Sequence, residues 1–250
     1  MAFHLISFSP TGGTLKTAEI LASGISDNWT HTDLLQPIAE MQFAAEDICL
    51  IAVPSFGGRI PTIAAERLQN IHANNARAIL LCVYGNRAYE DTLSELEDVL
   101  ENCGFLCIAA VAAVAEHSII REFGAGRPDA EDCEVLAAYA EKIRERLANP
   151  VDRHLTVPGE HGTYKAYKNS PFIPAKNDRC SGCGLCAVSC PTGAIGDTPD
   201  DIDTERCIKC MRCAAVCPSG ARKLDEQISA ALYERLAAVC GTRKTNELFL

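Results

Sequence analysis

The sequence predicts an α/β protein: a doubly wound, five-stranded parallel sheet followed by a small α+β unit rich in cysteine. Three observations carry this. Four short apolar runs alternate with helical patterns in the first 150 residues. Two copies of one cysteine pattern fill a short stretch beyond residue 178. Charge divides near the same place, at −11 over residues 1–150 and +1 over residues 151–250.

The runs at residues 3–8, 48–53, 78–84 and 107–115 are too short and continuous for surface helices. They predict strands buried on both faces. A weaker run at 32–35 predicts an edge strand. Between the runs, Leu15, Ala18, Leu21, Ala22 and Ile25 share one helical face. Leu93, Leu96, Leu100 and Cys103 share another, and Gly104 is placed to end that helix. Pro128 and Asp129 start a third helix, with Val135, Tyr139, Ile143 and Leu147 on one face.

Strands alternating with helices build a parallel sheet covered on both sides. Ligands bind beyond the carboxyl ends of such strands, where the strand order reverses. That rule nominates residues 9–14, 54–60, 84–89 and 116–118.

The sheet unit is expected over residues 1–149. Residues 150–177 hold Pro150, Pro158, Pro171 and Pro174 and predict an extended linker. Tyr164, Tyr167, Phe172 and Ile173 are apolar enough to pack it across a surface. The cysteine-rich unit spans 178–224. Residues 225–250 predict a C-terminal helix carrying Ile228, Leu232, Leu236 and Val239.

The 250 residues are 48% hydrophobic, enough for a real core. A net charge of −10 argues against nucleic acid as a partner. No run approaches the roughly 18–20 apolar residues that span a bilayer. The stretch after Met1 lacks the basic region of a secretory leader, so a cytoplasmic protein is expected. There, fourteen cysteines point to metal or redox cofactors, not disulfides.

Residues 180–191 read CSGCGLCAVSCP and residues 207–218 read CIKCMRCAAVCP, an internal duplication of C-x2-C-x2-C-x3-C-P. Three thiolates at close, equal intervals wrap one corner of an iron–sulfur cube, and Gly182 and Gly184 let backbone approach it. The fourth cysteine of each run ligates the other cluster. One ligand set is therefore Cys180, Cys183, Cys186 and Cys217; the other is Cys207, Cys210, Cys213 and Cys190. Structural zinc normally takes two separated ligand pairs, which this pattern lacks. Cys49, Cys82, Cys103, Cys107, Cys133 and Cys240 have no ligand spacing and read mostly as small buried hydrophobes. Residues 178–224 resemble the bacterial two-cluster ferredoxins, which implies two [4Fe–4S] clusters.

The loop Ser9–Pro10–Thr11–Gly12–Gly13–Thr14 is either an anion site at a helix start or a tight turn. Beside a cluster unit it resembles the flavodoxin phosphate loop, [ST]-x-T-G-x-T. Ser9, Thr11, Gly12, Gly13 and Thr14 match, with Gly13 standing where many flavodoxins have Asn. Pro54, Ser55, Phe56, Gly57 and Gly58 form a glycine-rich turn before a proline-started helix. By the same resemblance they flank a flavin ring. Tyr84, Gly85, Asn86, Arg87, Ala88 and Tyr89 resemble the flavodoxin loop G-D-x-x-Y. This makes Tyr89 the stacking residue, puts Asn86 in place of an acid, and adds the charge of Arg87 near the ring. His117 is a weak catalytic candidate, either structural or able to bond the flavin or protonate a substrate. Residues 124–128 suggest a mobile cover.

The whole chain resembles the flavodoxin–ferredoxin fusion proteins of anaerobic microbes. That implies a flavodoxin-like sheet of order 2-1-3-4-5 with FMN, joined to a dicluster ferredoxin domain. The first functional reading is electron transfer between FMN and two clusters, linking one- and two-electron traffic. A second is a flavin oxidoreductase reducing a quinone or nitro-type molecule, with His117 and Arg59 lining its cavity. A third is a cluster-bearing docking module without flavin. Glu90, Asp91, Glu95, Glu97, Asp98 and Glu101 form either a solvated helix face or an acidic surface for a basic redox partner.

Overall fold

A computed structural model describes residues 1–149, 154–167 and 172–250. The expected runs form β1 (Phe3–Ser7), β2 (Thr30–Asp33), β4 (Ile48–Pro54), β6 (Arg77–Tyr84) and β7 (Leu106–Val114). They pair in parallel in the order β2-β1-β4-β6-β7, which is the 2-1-3-4-5 order of flavodoxin-like sheets. Two shorter strands, β3 (Met41–Gln42) and β5 (Ile71–His72), pair in parallel as a separate ribbon.

Side chains alternate between the two faces of the sheet, and helices cover both. On one side α1 (Gly13–Ile25) and α4 (Ala130–Ala148) bury Leu21 and Leu136 against Leu5, Leu50 and Ile79. On the other, α2 (Thr62–Leu68) and α3 (Thr92–Asn102) bury Leu68 and Leu96 against Ile6, Ile51 and Leu80. Every residue of β4 is buried, which explains its unbroken apolar sequence. The two helices of the first layer pack so closely that a Cβ on Gly24 would fall 2.5 Å from that of Ala140.

The face of α4 differs from expectation. It buries Asp132, Leu136, Ala140 and Ile143, leaving Val135 and Tyr139 only partly covered. The cause is an inward ion pair, in which Arg127 Nε donates to Asp132 Oδ2 at 2.8 Å. Arg127 is itself buried, so residues 124–128 are anchored through it and do not form a free cover.

In the cysteine-rich unit β8 (Ala175–Lys176) pairs antiparallel with β9 (Arg222–Lys223). Two four-residue helices, α5 (Leu185–Val188) and α6 (Arg212–Ala215), follow the two cysteine loops. Their caps, Gly184 and Met211, are both left-handed at φ 75° and 63°, so the duplication is visible in the backbone.

The C-terminal stretch is a helix and more. α7 (Glu226–Cys240) is followed by a strand, β10 (Glu247–Phe249), that pairs antiparallel with β7 and makes the sheet six-stranded. Three residues are too few for a periodicity to announce. Asn86 fastens this tail. Its Nδ2 donates to the carbonyls of Cys240 at 2.6 Å and Thr242 at 2.9 Å, while its Oδ1 accepts from the Lys244 amide at 3.0 Å.

The segment before the cysteine-rich unit crosses the sheet unit. Leu155 and Val157 are buried in the core beneath α3, and residues 159–165 lie over that helix. Pro150 and Pro171, assigned to this linker from sequence, lie outside the described residues.

Replacing Asn86 with Ala leaves two buried carbonyls and an amide unpaired at a left-handed position, φ 60°. A loss of about 2–4 kcal/mol is expected, read as a fall in thermal midpoint of roughly 5–10 °C. Faster proteolysis of the 241–250 tail should accompany it, and an unchanged midpoint would refute this role.

Candidate functional site

The two cysteine loops fold toward one another. Cys190, Cys207, Cys210 and Cys213 line one small cavity, and Cys180, Cys183, Cys186 and Cys217 line a second. The structure thus brings the eight cysteines together in the two crossed sets that the spacing nominates.

Among the described residues, the one group of three ligand atoms within 4.8 Å of each other is Glu97, Glu101 and His154. No three cysteine sulfurs approach at that spacing, whereas a tetrahedral zinc with bonds of ~2.3 Å would hold them about 4 Å apart. Four cysteines around each small cavity, supplied by two loops of the same pattern, are a donor set that fits an iron–sulfur cube.

Burial pushes the Cys210 thiol up to about 12 and Cys213 up to about 11, the latter opposed by the charge of Arg222. Ligation is what makes thiolates favourable in such surroundings. The Ala194 amide lies 3.3 Å from Cys190 Sγ, and the hydroxyls of Thr192 and Ser219 lie 3.6 Å from Cys190 and Cys217. Burial raises the Cys217 thiol too, but Ser219 and nearby amides outweigh it and hold it below the usual range.

Arg222 was not singled out in the sequence. It is 3% exposed and borders both cysteine cavities. Its guanidinium donates to the carbonyls of Pro174, at 2.9 Å, and Pro199, and lies 3.8 Å from Cys186 Sγ.

The same Arg222 borders a third cavity, of about 700 Å³, at the carboxyl edge of the sheet. That volume falls within the roughly 300–1,000 Å³ of small-molecule sites. On the sheet side lie Thr11, Gly12, Gly13, Lys16 and Ser118; on the other lie Met211 and Ala214. Gly12 is left-handed at φ 93° and brings no side chain to cap the helix that begins after it, so Ser9 is the side chain that meets a first-turn amide. Space beyond Gly12 is open, with no atom within 4 Å of where a Cβ would stand. Ser9 Oγ accepts from the Leu15 amide at 2.9 Å and braces the turn, while Thr14 is buried beneath it. A helix start whose Gly13 and Thr14 amides have no side-chain cap from Gly12, facing a cavity, is suited to an anion. A cavity of about 650 Å³ beside Trp29 and Arg144 sits at the opposite, amino end of the strands, where such sheets do not bind ligands.

The loops nominated to flank a ring are engaged elsewhere. Pro54, Ser55, Phe56, Gly57 and Gly58 form a tight turn closed by the Phe56–Arg59 bridge, and Ser55 Oγ accepts from Thr92 at 2.8 Å. Tyr84 packs its ring 5.3 Å from that of Tyr89, whose hydroxyl donates to Glu247 at 2.8 Å. Gly85 passes so near His117 that a Cβ would lie 2.6 Å from the imidazole. Asn86 holds the tail and Arg87 pairs with Glu90 at 2.9 Å. None of these residues borders the 700 Å³ cavity. For Tyr84 and Tyr89 the physical reason is the tail, invisible to periodicity, which meets both hydroxyls.

His117 also differs from its candidate role. Its Nδ1 accepts from the amides of Ile119 at 3.2 Å and Ile120 at 3.1 Å, which orders the loop after β7. Burial, aided by Arg87, lowers its pKa to about 4. Bonded to its own loop through Nδ1, it serves as a structural acceptor. Arg59 is equally committed: it donates to Glu95 at 2.7 Å and sits between the rings of Tyr164 and Tyr167.

The acidic residues of α3 and its approach are not a free face. Asp91 and Asp98 accept from connector amides, Glu90 pairs with Lys165, and Glu95 with Arg59. Glu90, Asp91 and Asp98 bind the protein's own connector.

Residues 179–221 match the family described as a 4Fe-4S dicluster domain. The sheet unit and this dicluster segment share one chain, as in a flavodoxin–ferredoxin fusion. No curated protein matches the chain by sequence. Among solved structures, it is similar to a rubredoxin oxygen:oxidoreductase from the anaerobe Desulfovibrio gigas, at 18% identity and a TM-score of 0.42. That match covers 59% of this chain, which spans only 36% of the other protein's length. It is also similar to a short-chain flavodoxin associated with a non-canonical PDU bacterial microcompartment, at 16% identity and a TM-score of 0.41, covering 59% of this chain and 99% of that one. A flavodoxin from the domain Archaea matches over 60% of this chain and 100% of its own, at 13% identity and a TM-score of 0.41. At these scores the strand order carries the fold assignment. No described helix is long and apolar enough to cross a membrane.

The depressed His117 pKa gives a signed prediction. Its contribution to stability is present above the free value of 6.5 and is lost as pH falls toward about 4. The thermal advantage of the natural protein over His117→Gln should therefore shrink between pH 7 and pH 5. A constant difference would contradict the neutral, accepting role.

Proposed function

We propose that the chain is an electron carrier that binds FMN at the carboxyl edge of the sheet and a [4Fe–4S] cluster in each cysteine cavity. One observation carries this reading: Arg222 borders the 700 Å³ cavity and both cysteine cavities. Three redox centres placed there would lie within one side chain's reach of each other. FMN exchanges one or two electrons and the clusters one each, so their union would interconvert the two kinds of traffic.

The chain's own residues have distinct parts in this scheme. The start of α1 at Gly13 and Thr14, with Thr11 and Lys16 alongside, would bind the phosphate. Cys180, Cys183, Cys186 and Cys217 would hold one cluster, and Cys190, Cys207, Cys210 and Cys213 the other. Met211 borders both this cavity and that of the second set, with Ala214 beside it. The commitments of His117 and Arg59 to structure support a carrier over an enzyme acting on a small molecule.

Anaerobically purified protein should contain about eight iron atoms per chain and about one acid-extractable FMN. Gly12→Asp, which sets a carboxylate at the helix start, should weaken flavin binding at least tenfold with iron unchanged. Iron-replete protein that takes up no flavin on reconstitution would defeat the reading.

Arg222→Met should lower a cluster midpoint, because a buried positive charge favours the more negative reduced form. A shift of roughly 60 mV corresponds to a tenfold change in a one-electron equilibrium. Potentiometric titration followed by electron paramagnetic resonance measures it, and potentials equal to the parent's would remove this role.

A further inference from the structure

Away from the three cavities, α3 and the connector close on another set of donor atoms. Glu97 and Glu101 stand one helical turn apart, and His154 from the connector meets them. One ligand atom from each lies within 4.8 Å of the other two. His154 Nδ1 is 3.8 Å from Glu101 Oε1, and His161 Nε2 is 3.7 Å from Glu97 Oε2.

Glu97 is the unusual member. Its side chain is 1% exposed, yet neither carboxylate oxygen has a hydrogen-bond partner. The neighbouring acids differ: Asp91 and Asp98 accept from connector amides and Glu95 holds Arg59. A buried carboxylate without a hydrogen bond is unfavourable, and proteins meet it with a proton, a cation or a metal. Burial first, then the charge of Glu101, pushes the Glu97 carboxyl up to about 7.

The surroundings are arranged as a metal's would be. His161 Nδ1 lies 2.7 Å from Asp98 Oδ1, a bond that sets the ring and leaves Nε2 toward Glu97. Metal-binding imidazoles are held in this way by a carboxylate on the far nitrogen. His154 is 72% exposed and Glu101 42%, so solvent reaches the group from one side. Ligands ~2.0–2.1 Å from a tetrahedral ion sit about 3.3 Å apart, roughly half an ångström closer than these pairs.

We propose that Glu97, Glu101 and His154, with His161 closing in beside Glu97 as a fourth ligand, bind a divalent transition cation of the zinc class that rivets the connector to α3. Two imidazoles and two carboxylates suit zinc, whereas calcium takes 6–8 oxygens and magnesium a near-octahedral oxygen shell. The site is separate from the cysteine cages and does not rest on the flavin reading. Its effect is to fasten the segment that joins the two units.

The test uses full-length, iron-loaded protein dialysed against Zn²⁺ at pH 7.5, with zinc and iron counted by elemental analysis. About one zinc per chain should remain, with iron undiminished. Glu97→Gln and His154→Ala should each weaken zinc binding at least tenfold, and Zn²⁺ should raise the thermal midpoint of the parent but not of either variant. His154 is exposed, so its replacement tests the site without threatening the fold. The proposal is overturned if iron-replete parent protein keeps no zinc, if both variants keep as much as the parent, or if zinc enters only as iron leaves.

Discussion

A guanidinium buried between two cysteine cavities is the hinge of this architecture. Arg222 needs partners for a charge removed from water, since desolvation without them is unfavourable by several kcal/mol. It finds the carbonyls of Pro174 and Pro199 and faces the cysteine sulfurs. Those partners come from just before the cysteine-rich unit, from its first cysteine loop and from its middle, while Arg222 stands near its end. Satisfying one cation therefore gathers the unit around a single point and presents that point to the carboxyl edge of the sheet.

Other arginines repeat the device between the two units. Arg67 reaches from α2 to the carbonyls of Leu34 and Pro191, each at 2.6 Å. Arg212 extends the opposite way, from α6 to the Pro10 carbonyl beside the start of α1, at 3.2 Å. Arg127 ties Asp132 to the Lys244 carbonyl and so couples α4 to the tail. A planar, permanently charged fork suits this work, because several donors can meet backbone acceptors from different segments at once. Apolar contacts complete the seam, where Ile120 and Phe123 pack with Met211, Leu224 and Leu232.

The charge division of the chain has an internal purpose as well. Acids on and before α3 are bound by the connector that passes over them, through amides, Lys165 and His161. Glu97 alone among the buried acids of this face keeps unsatisfied oxygens. Electrostatics here organise the chain against itself, and the apolar anchors Leu155 and Val157 set the depth of the strap.

The local code was legible wherever it repeats. Unbroken apolar runs announce buried strands, the cysteine spacing announces two loops of one pattern, and Asp129 announces a helix start that the structure caps with Asp132. Each is a pattern within a few residues, so neighbouring residues alone determine it. Tertiary structure decided what depends on distant segments meeting. A three-residue strand covers Tyr84 and Tyr89, Asn86 serves the tail, and α4 turns Asp132 inward because Arg127 waits there. The placement of Arg222 at the junction of three cavities, and of Glu97 beneath two histidines, follows from packing between segments far apart in the chain. No periodicity encodes such encounters, because their energy belongs to desolvated charges that find partners only after the chain has folded.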